Sequence, residues 1–375
     1  MPHFDIIRTA NPEKTFRVSS VMGTYDLADN KVTEHFVGDI QLPEKWNIGI
    51  IVGRSGTGKT TIARELFGKY MKQYTYTHEC FLDDFPKDVS MREIEKTLVS
   101  VGLSSVTSWL KSYHVLSNGE KMRCDIARAI LEHDDMTAFD EFTSVVDRNI
   151  AKVSSLAIQK AIRRGGGRFI AVSCHEDIIE YLMPDWIFDT NTMTFSALDV
   201  EEQKKNRRKF TMRIYEVTRD KQQLWRTFAR YHYLSEHFNS AARVFVATID
   251  EQIAAFCAAL PFPHPRVKNT WREHRTVVLP DYQGIGIGTA ISNFVGEYFQ
   301  QRGKRYISTT SNPAMIVSRQ RSPLWRCTRM SRLSTSSLSG FQNIKDKSST
   351  SARRITAAFE YIGEKCKYLA PVASK

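Results

Sequence analysis

Hydrophobic and polar positions fall into two stretches of strands and helices, separated by a polar run. In the first stretch, Thr15 to Val21 and Thr33 to Leu42 read as short strands divided by polar turn residues. WNIGIIV (46–52) is an apolar run of the kind that forms a buried parallel strand, and TIARELFGKYMK (61–72) has a helical pattern. CDIARAIL (124–131) predicts an amphipathic helix, while Met136 to Phe139 and Phe169 to Val172 predict strands. Leu198 to Lys209 is rich in charge and has no apolar face, which predicts a solvated connector or a short exposed helix. The pattern restarts at Phe210. A strand is expected over Thr211 to Val217 and a helix over Lys221 to Tyr231. Two antiparallel strands, Ala242 to Asp250 and Gln252 to Leu260, are joined by an Asp-Glu turn. A strand from Arg275, a glycine-rich turn and the helix AISNFVGEYFQQRG (290–303) follow. After them come a strand at Lys304 to Thr309, a helix opened by Asn312-Pro313, and a last strand over Ile355 to Ile362.

At roughly 150 residues per domain, 375 residues predict two or three domains. Hydrophobic residues make up 42% and charged residues 25%, a globular balance that excludes a disordered chain. No apolar run approaches the roughly 20 residues of a membrane span, so no membrane partner is expected. MPHFDIIR carries Asp5 and lacks the apolar core of a secretory signal. The six cysteines are scattered, with no CxxC and no Cys/His pair at ligand spacing, which excludes a zinc ribbon and points to a reducing cytoplasm. Net charge is +12, but residues 1–200 hold 23 basic and 28 acidic side chains, and residues 201–375 hold 30 and 13. The halves therefore carry −5 and +17. That contrast predicts two domains with different partners, one of them polyanionic, unless the basic half uses its charge for solubility alone.

The strand at 46–52 feeds into Gly53-Arg54-Ser55-Gly56-Thr57-Gly58-Lys59-Thr60, and the helix follows from Thr61. This is GxxxxGK[ST] between a strand and a helix, a P-loop. Gly53, Gly56 and Gly58 let the backbone wrap closely around phosphate, with Ser55 and Thr61 in the same anion-facing turn and helix start. Lys59 would reach the β- and γ-phosphates of ATP, and the Thr60 hydroxyl would ligate Mg²⁺. Leu116-Ser117-Asn118-Gly119-Glu120 precedes the 124–131 helix, and the 136–139 strand ends in Asp140-Glu141. Phe142-Thr143-Ser144-Val145-Val146-Asp147 comes next, and His175 stands after the 169–172 strand.

Taken in that order, the set resembles the ABC-type ATPases over residues 15–198. The resemblance implies Asp140 at Mg²⁺, Glu141 as the base that polarises water, and His175 against the γ-phosphate. It implies that Ser117 and Gly119 serve a nucleotide held by a second subunit, hence a head-to-tail homodimer or a paired ATPase. The sequence departs from the family in three places. The signature reads LSNGE rather than LSGGQ, with Asn118 able to tolerate positive φ. Only residues 61–115 lie between P-loop and signature, which weakens a transporter role. No Q-loop glutamine is evident in Cys80 to Pro86, where Asp83 or Asp84 is the alternative at the metal. Tyr25 is a candidate for stacking on adenine, or simply packs on a hairpin neighbour.

In the second half, Arg275 to Pro280 leads into Asp281-Tyr282-Gln283-Gly284-Ile285-Gly286-Ile287-Gly288-Thr289 and then the 290–303 helix. A bare GxGxG is weak, and a dinucleotide fold would require a parallel crossover where these strands look antiparallel. The segment resembles the pyrophosphate loop of GNAT acetyltransferases, Q/R-x-x-G-x-G/A, over residues 210–370. The resemblance implies that Gln283, Gly284, Gly286, Gly288 and Thr289 hold the pyrophosphate of acetyl-CoA or a related acyl-CoA at the helix start. It also implies a thioester lying between two splayed strands. Asn312 either bonds the CoA arm or caps its helix, and the two roles are compatible. Glu273 or His274 could take the proton from an acceptor amine; each is equally well a surface residue at a strand start.

Tyr231, His232 and Tyr233 end a helix and could stack on a flat base or pack the helix end. YHYL, with SNPAMIVSRQRSPLWR, resembles phage Mom-type proteins, GNAT relatives that modify DNA adenine. From Arg319 to Arg354 there are nine basic residues, Arg319, Arg321, Arg326 and Arg329 among them, and one acid, Asp346. That composition suits phosphate contacts in DNA or RNA, or a solvated loop. The expected fold is α/β: a P-loop ABC-type ATPase domain (1–198), a charged linker (199–209), and a GNAT-like α+β domain with a mixed, splayed sheet (210–375) and a basic Ser-rich insert (331–354). The expected function is an ATP-hydrolysing, CoA-dependent acyltransferase acting on nucleic acid. The alternatives are an acetyltransferase for a protein or small amine with a regulatory ATPase, and a DNA-binding, repair-type ATPase without transfer.

Overall fold

A computed structural model describes residues 3–27, 31–132, 135–232, 237–265, 267–330 and 356–363. Two compact units emerge, residues 1–101 with 113–208, and residues 102–112 with 209–375.

In the first unit, β1 (His3–Ala10) and β2 (Val32–Asp39) pair antiparallel, from His3 opposite Asp39 to Ala10 opposite Val32. Between them runs α1 (Phe16–Thr24), a helix where the alternation at 15–21 predicts a strand. Thr15 decides the matter locally: it sits extended and its hydroxyl accepts from the Val18 N–H at 3.3 Å, an N-cap. The apolar positions then fall around a helix none of whose residues is buried, with Phe16 88% exposed.

β3 (Ile48–Val52) runs into α2 (Lys59–Phe67), and α3 (Met91–Ser100), α4 (Val106–Trp109) and α5 (Asn118–Glu132) follow. Then come β4 (Met136–Phe139), α6 (Arg148–Gly165), β5 (Arg168–Ser173), α7 (Ile179–Leu182), β6 (Trp186–Asp189), β7 (Thr194–Ala197) and α8 (Val200–Asn206). The sheet order is β4-β5-β3-β6-β7, parallel except at the β7 edge. β3 is buried along its whole length, as its unbroken apolar pattern requires. Trp186 fills the core against Gly49, where a Cβ would come within 2.0 Å of the indole. Because β3, β4 and β5 are parallel, their C-terminal ends open on one edge of the sheet, and the glycine-rich turn at 53–58, Asp140 and the loop of His175 all start there.

The second unit contains α4 and everything from β8 (Met212–Val217) onward: α9 (Lys221–Ala229), β9 (Arg243–Ile249), β10 (Gln252–Pro261), β11 (Thr270–Val278), α10 (Ile287–Gln300), β12 (Arg305–Thr310), α11 (Pro313–Arg321), β13 (Trp325–Met330) and β14 (Ala357–Tyr361). Its mixed sheet has the order β13-β14-β12-β11-β10-β9-β8. The Asp250-Glu251 turn joins β9 to β10, both residues taking positive φ. β11 and β12 pair in parallel only from Thr270 to Arg272, after which β12 pairs with β14 alone. Across β10 and β11 the register shifts, Ala258 facing Arg275 and Ala259 facing Glu273, which leaves His274 as the extra residue of a bulge. Ile287, Ile291, Val295 and Phe299 form the buried stripe of α10 against this sheet. No helix among the described residues is long and apolar enough to cross a membrane. The expected insert at 331–354 lies outside the described residues, as does Tyr233.

Candidate functional sites

The glycine-rich turn between β3 and α2 is built from glycines with positive φ. Gly58 takes φ +83 as the N-cap of α2, and a Cβ there would meet Phe36 at 2.6 Å, so both conformation and space demand glycine. Gly53, Ser55 and Gly56 form the rest of the loop; a Cβ on Gly53 would meet Thr190 at 2.2 Å. Asn191 Oδ1 accepts from the Arg54 N–H at 2.9 Å, and Thr57 and Thr190 hydroxyls lie 2.5 Å apart. The Lys59 ammonium donates to the Arg54 carbonyl at 2.6 Å and so arches over the loop. Thr60 donates to Asp140 Oδ1 at 3.1 Å, which puts the two expected Mg²⁺ ligands side by side. Arg8 of β1 donates to Thr61 at 2.8 Å, a contact without a sequence signal. Donor glycines, a helix start, a lysine and a hydroxyl–carboxylate pair fit a nucleotide triphosphate with its magnesium.

Glu141 follows in a left-handed turn, φ +50, whose amide is tied to Asp140 Oδ1 at 2.9 Å. The turn is anchored to β5 by the Phe142 N–H, which donates to the Val172 carbonyl at 2.8 Å. Ser173 then links two candidate elements: its hydroxyl donates to the Phe142 carbonyl and accepts from the His175 N–H, at 3.0 and 3.1 Å. His175 Nδ1 is buried with no hydrogen-bond partner among the described residues. Burial, and then the charge of Arg148, push the His175 imidazole below its ordinary range and keep it neutral. Arg148 is itself bonded to Asp177.

At the signature, Ser117 and Glu120 close a capping box at the start of α5: Glu120 Oε2 accepts from the Ser117 N–H at 3.0 Å, and Ser117 Oγ from the Glu120 N–H at 3.3 Å. Glu120, where the expected LSGGQ-type signature carries glutamine, thus has a local reason. Asn118 and Gly119 lie inside α5, and Asn118 is not in the left-handed region, contrary to the expectation of a positive-φ turn. No strand leads into 80–86; Phe81 to Asp84 is a 3-10 turn. Asp84 holds that turn through the Thr77 N–H at 3.0 Å and His78 Nδ1 at 2.7 Å. Burial works to raise the Asp84 carboxyl, but these bonds hold it below the usual range. Asp83 is exposed. Tyr25 caps the C-terminus of α1 and is exposed, not packed in a hairpin.

In the second unit, Pro280 to Tyr282 make a 3-10 turn, and Gly284 and Gly286 take φ +83 and +99 before α10. A Cβ on Gly286 would meet nothing within 4 Å, so the space before the helix start is open. Gly288 packs α10 onto β11, a Cβ there coming 3.2 Å from Val278. Thr289 and Ser318 hydroxyls lie 3.1 Å apart. The open turn and the amides of a long helix fit a pyrophosphate. Asn312 is the N-cap of α11, its Oδ1 accepting from the Met315 N–H at 3.1 Å.

Glu273 and His274 do not precede the strand; they lie within β11, where it parts from β12. Glu273 is nearly buried and ion-paired to Arg319, which is 1% exposed, at 2.9 Å. Ser292 and Tyr306 hydroxyls also donate to it, at 2.7 and 3.2 Å. Burial opposes the charge, but the Arg319 cation and these bonds hold the Glu273 carboxyl below the usual range. Arg319 further donates to Ser308 and stacks on Trp325 with its guanidinium 4.3 Å from the ring. It is therefore a core residue, not the exposed phosphate contact its sequence neighbourhood suggests. Removing one partner of such a pair strands the other charge, so Arg319→Ala is expected to destabilise the fold by about 3–5 kcal/mol, read by denaturant unfolding.

His274 is pushed down to about 4 by burial, then by Arg275 and Arg272, and its Nε2 is buried with no partner among the described residues. A folded pKa below that of the unfolded chain favours unfolding as acid is added. Stability should be full above the ordinary histidine value of about 6.5 and fall as pH drops toward 4. Glu273 adds a loss of the same sign at still lower pH, as its depressed folded value is passed. Tm measured between pH 7 and 4 should therefore decline, and His274→Asn should flatten the upper part of that decline.

Arg326 pairs with Glu360 at 2.7 Å, while Arg321 and Arg329 are exposed and make no ion pair among the described residues. Tyr231 packs on the core of Trp225 and Phe228, and the His232 ring stands edge-on to Trp225 at 5.8 Å.

Residues 208–316 match the Acetyltransferase (GNAT) family. No curated protein matches the chain. Among solved structures it is similar to the ribosomal-protein-S18-alanine N-acetyltransferase from Escherichia coli, at 16% identity and TM-score 0.31, over 43% of this chain and 99% of that one. It is also similar to an IAA acetyltransferase from Bacillus cereus, at 14% and 0.27, over 40% and 99%. A third likeness is to a bacterial Atm1-family ABC exporter with ATP bound, at 18% and 0.32, over 42% of this chain and 33% of the exporter.

Proposed function

We propose, on the premise that residues 208–316 carry a GNAT acetyltransferase domain, that this chain moves an acyl group from acetyl-CoA or a related acyl-CoA to an amine, and that its first unit binds and hydrolyses ATP with Mg²⁺. The observation that carries the transfer is the parting of β11 from β12 after Arg272, beside a glycine-rich turn that opens α10. The acyl group supplies the thioester's carbonyl carbon, and CoA its sulfur. The acceptor nitrogen forms a bond to that carbon, the carbon–sulfur bond breaks, and the proton released by nitrogen ends on the departing thiolate. Glu273 is committed to Arg319, so His274, neutral and with Nε2 unpartnered among the described residues, is the better group to relay that proton.

For ATP, Lys59 and the loop amides would hold phosphates, Thr60 and Asp140 the metal, and Glu141 the attacking water. Ser117 and Gly119 would complete the site of a second copy, in a head-to-tail homodimer. The −5 and +17 halves favour a nucleic-acid acceptor, DNA or RNA, in line with the Mom-type resemblance. A protein or small amine is the alternative acceptor.

Incubating the full chain with radiolabelled acetyl-CoA, Mg²⁺-ATP and duplex DNA, followed by mass spectrometry of the nucleosides, tests the reading. An acylated nucleoside supports it, and label found only on protein or small amines rules out the nucleic-acid acceptor. Of the four arginines considered for phosphate contact, Arg319 and Arg326 are ion-paired, whereas Arg321 and Arg329 are exposed and make no ion pair among the described residues. Changing both to Ser should flatten the slope of log K against log salt by about 1.8, at about 0.9 per lost phosphate contact. Binding curves at several salt concentrations check this.

A further inference from the structure

The segment Gly102–Ser112 belongs to the second structural unit although it interrupts the sequence of the first. It is closed on itself where the Trp109 indole N–H donates to the Leu103 carbonyl at 2.7 Å. Ser104 fastens it to the glycine-rich turn. Its backbone N–H and its hydroxyl both donate to Gln283 Oε1, each at 2.8 Å, across 179 residues of sequence. Gln283 Nε2 donates in turn to the Val278 carbonyl at 3.0 Å, the last residue of β11. The side chain at the head of the donor loop is thus held at both its polar atoms.

The other end of the segment continues directly into Tyr113 of the first unit. The Tyr113 and Tyr76 rings stack at 3.8 Å, and their hydroxyls donate to the two oxygens of one carboxylate, Asp125, each at 2.8 Å. Asp125 stands on α5, the helix that opens at the signature residues Asn118 and Gly119. A displacement of α5 would therefore be felt at Tyr113 and, along a short length of covalent chain, at Ser104.

We propose that Ser104 is a positioning residue for the CoA loop and that segment 102–112 is a strap through which nucleotide in the first unit sets the affinity of the second for acyl-CoA. This rests on the donor and nucleotide sites proposed above. Linkage then requires CoA to change nucleotide affinity by the same factor.

The test uses the full chain, CoA itself and a non-hydrolysable ATP analogue with Mg²⁺. Ser104→Ala removes one of two donors and should weaken CoA binding about 3- to 10-fold, the size of a single hydrogen bond. Ser104→Thr keeps the hydroxyl and should restore the parent affinity. The analogue should shift the CoA Kd of the parent, and that shift should vanish in Ser104→Ala. Hydrogen exchange over 280–289 needs no CoA; it should quicken in Ser104→Ala and return to the parent rate in Ser104→Thr. Unchanged exchange and affinity in Ser104→Ala overturn the proposal, and so does a nucleotide effect of full size in that variant. A parent that binds no CoA overturns the donor-site reading instead, and the exchange rates then decide the strap alone.

Discussion

Glu141→Gln is expected to lower ATP hydrolysis by about 10²- to 10⁴-fold, the usual contribution of a positioned general base, with nucleotide binding retained. Glutamine has the shape of glutamate but cannot accept the proton of water. The turn that carries residue 141 is held by backbone and by neighbours, not by the side chain it would lose. Its amide bonds Asp140 Oδ1 at 2.9 Å, and the next amide bonds the Val172 carbonyl at 2.8 Å. Thr60 and Asp140, paired at 3.1 Å, are not altered, so the proposed metal ligands stay in place. ATP should then accumulate on the protein, and the proposed head-to-tail dimer should be seen on a sizing column in ATP. Phosphate release at the parent rate would exclude Glu141 from the water's side of the reaction.

Gly286→Asp is expected to abolish CoA binding. Two like charges 4 Å apart repel by about 4 kcal/mol at an effective dielectric of 20. That corresponds to a loss on the order of 1000-fold. The new carboxylate would stand in open space at the start of α10, where Gly286 now has φ +99 and no neighbour within 4 Å of its missing Cβ. The left-handed conformation itself costs any side chain something, so Gly286→Ala separates the two causes. Alanine should lower Tm and weaken CoA binding modestly, whereas aspartate should remove binding with a similar Tm. Equal losses of binding in the two variants would mean that no anion sits at this turn.

Much of the fold was legible because local pattern and motif agree. The apolar run at 46–52, the glycines after it and the helical pattern expected from Thr61 agree with one another, and they fold as β3, loop and α2, which begins two residues earlier at Lys59 and ends at Phe67. The β9–β10 hairpin was legible for the same reason. At 15–21 alternation and capping disagree, and the Thr15 cap prevails. What could not be read is long-range. Nothing near Arg319 in sequence tells that Glu273 will meet it, and that pairing turns a candidate phosphate contact into a core residue and a candidate base into its counter-ion. Nothing around Ser104 announces Gln283. The bulge that frees His274 from the β10–β11 register is likewise a property of the sheet, not of the segment.

The most direct test of the transferase reading is a calorimetric titration of the full chain with acetyl-CoA, alongside Gly286→Asp. The expected result is a single saturable site per chain in the parent and none in the variant. A parent that takes up no acetyl-CoA, or a variant that binds it as the parent does, would contradict the assignment of residues 283–289 as the donor loop.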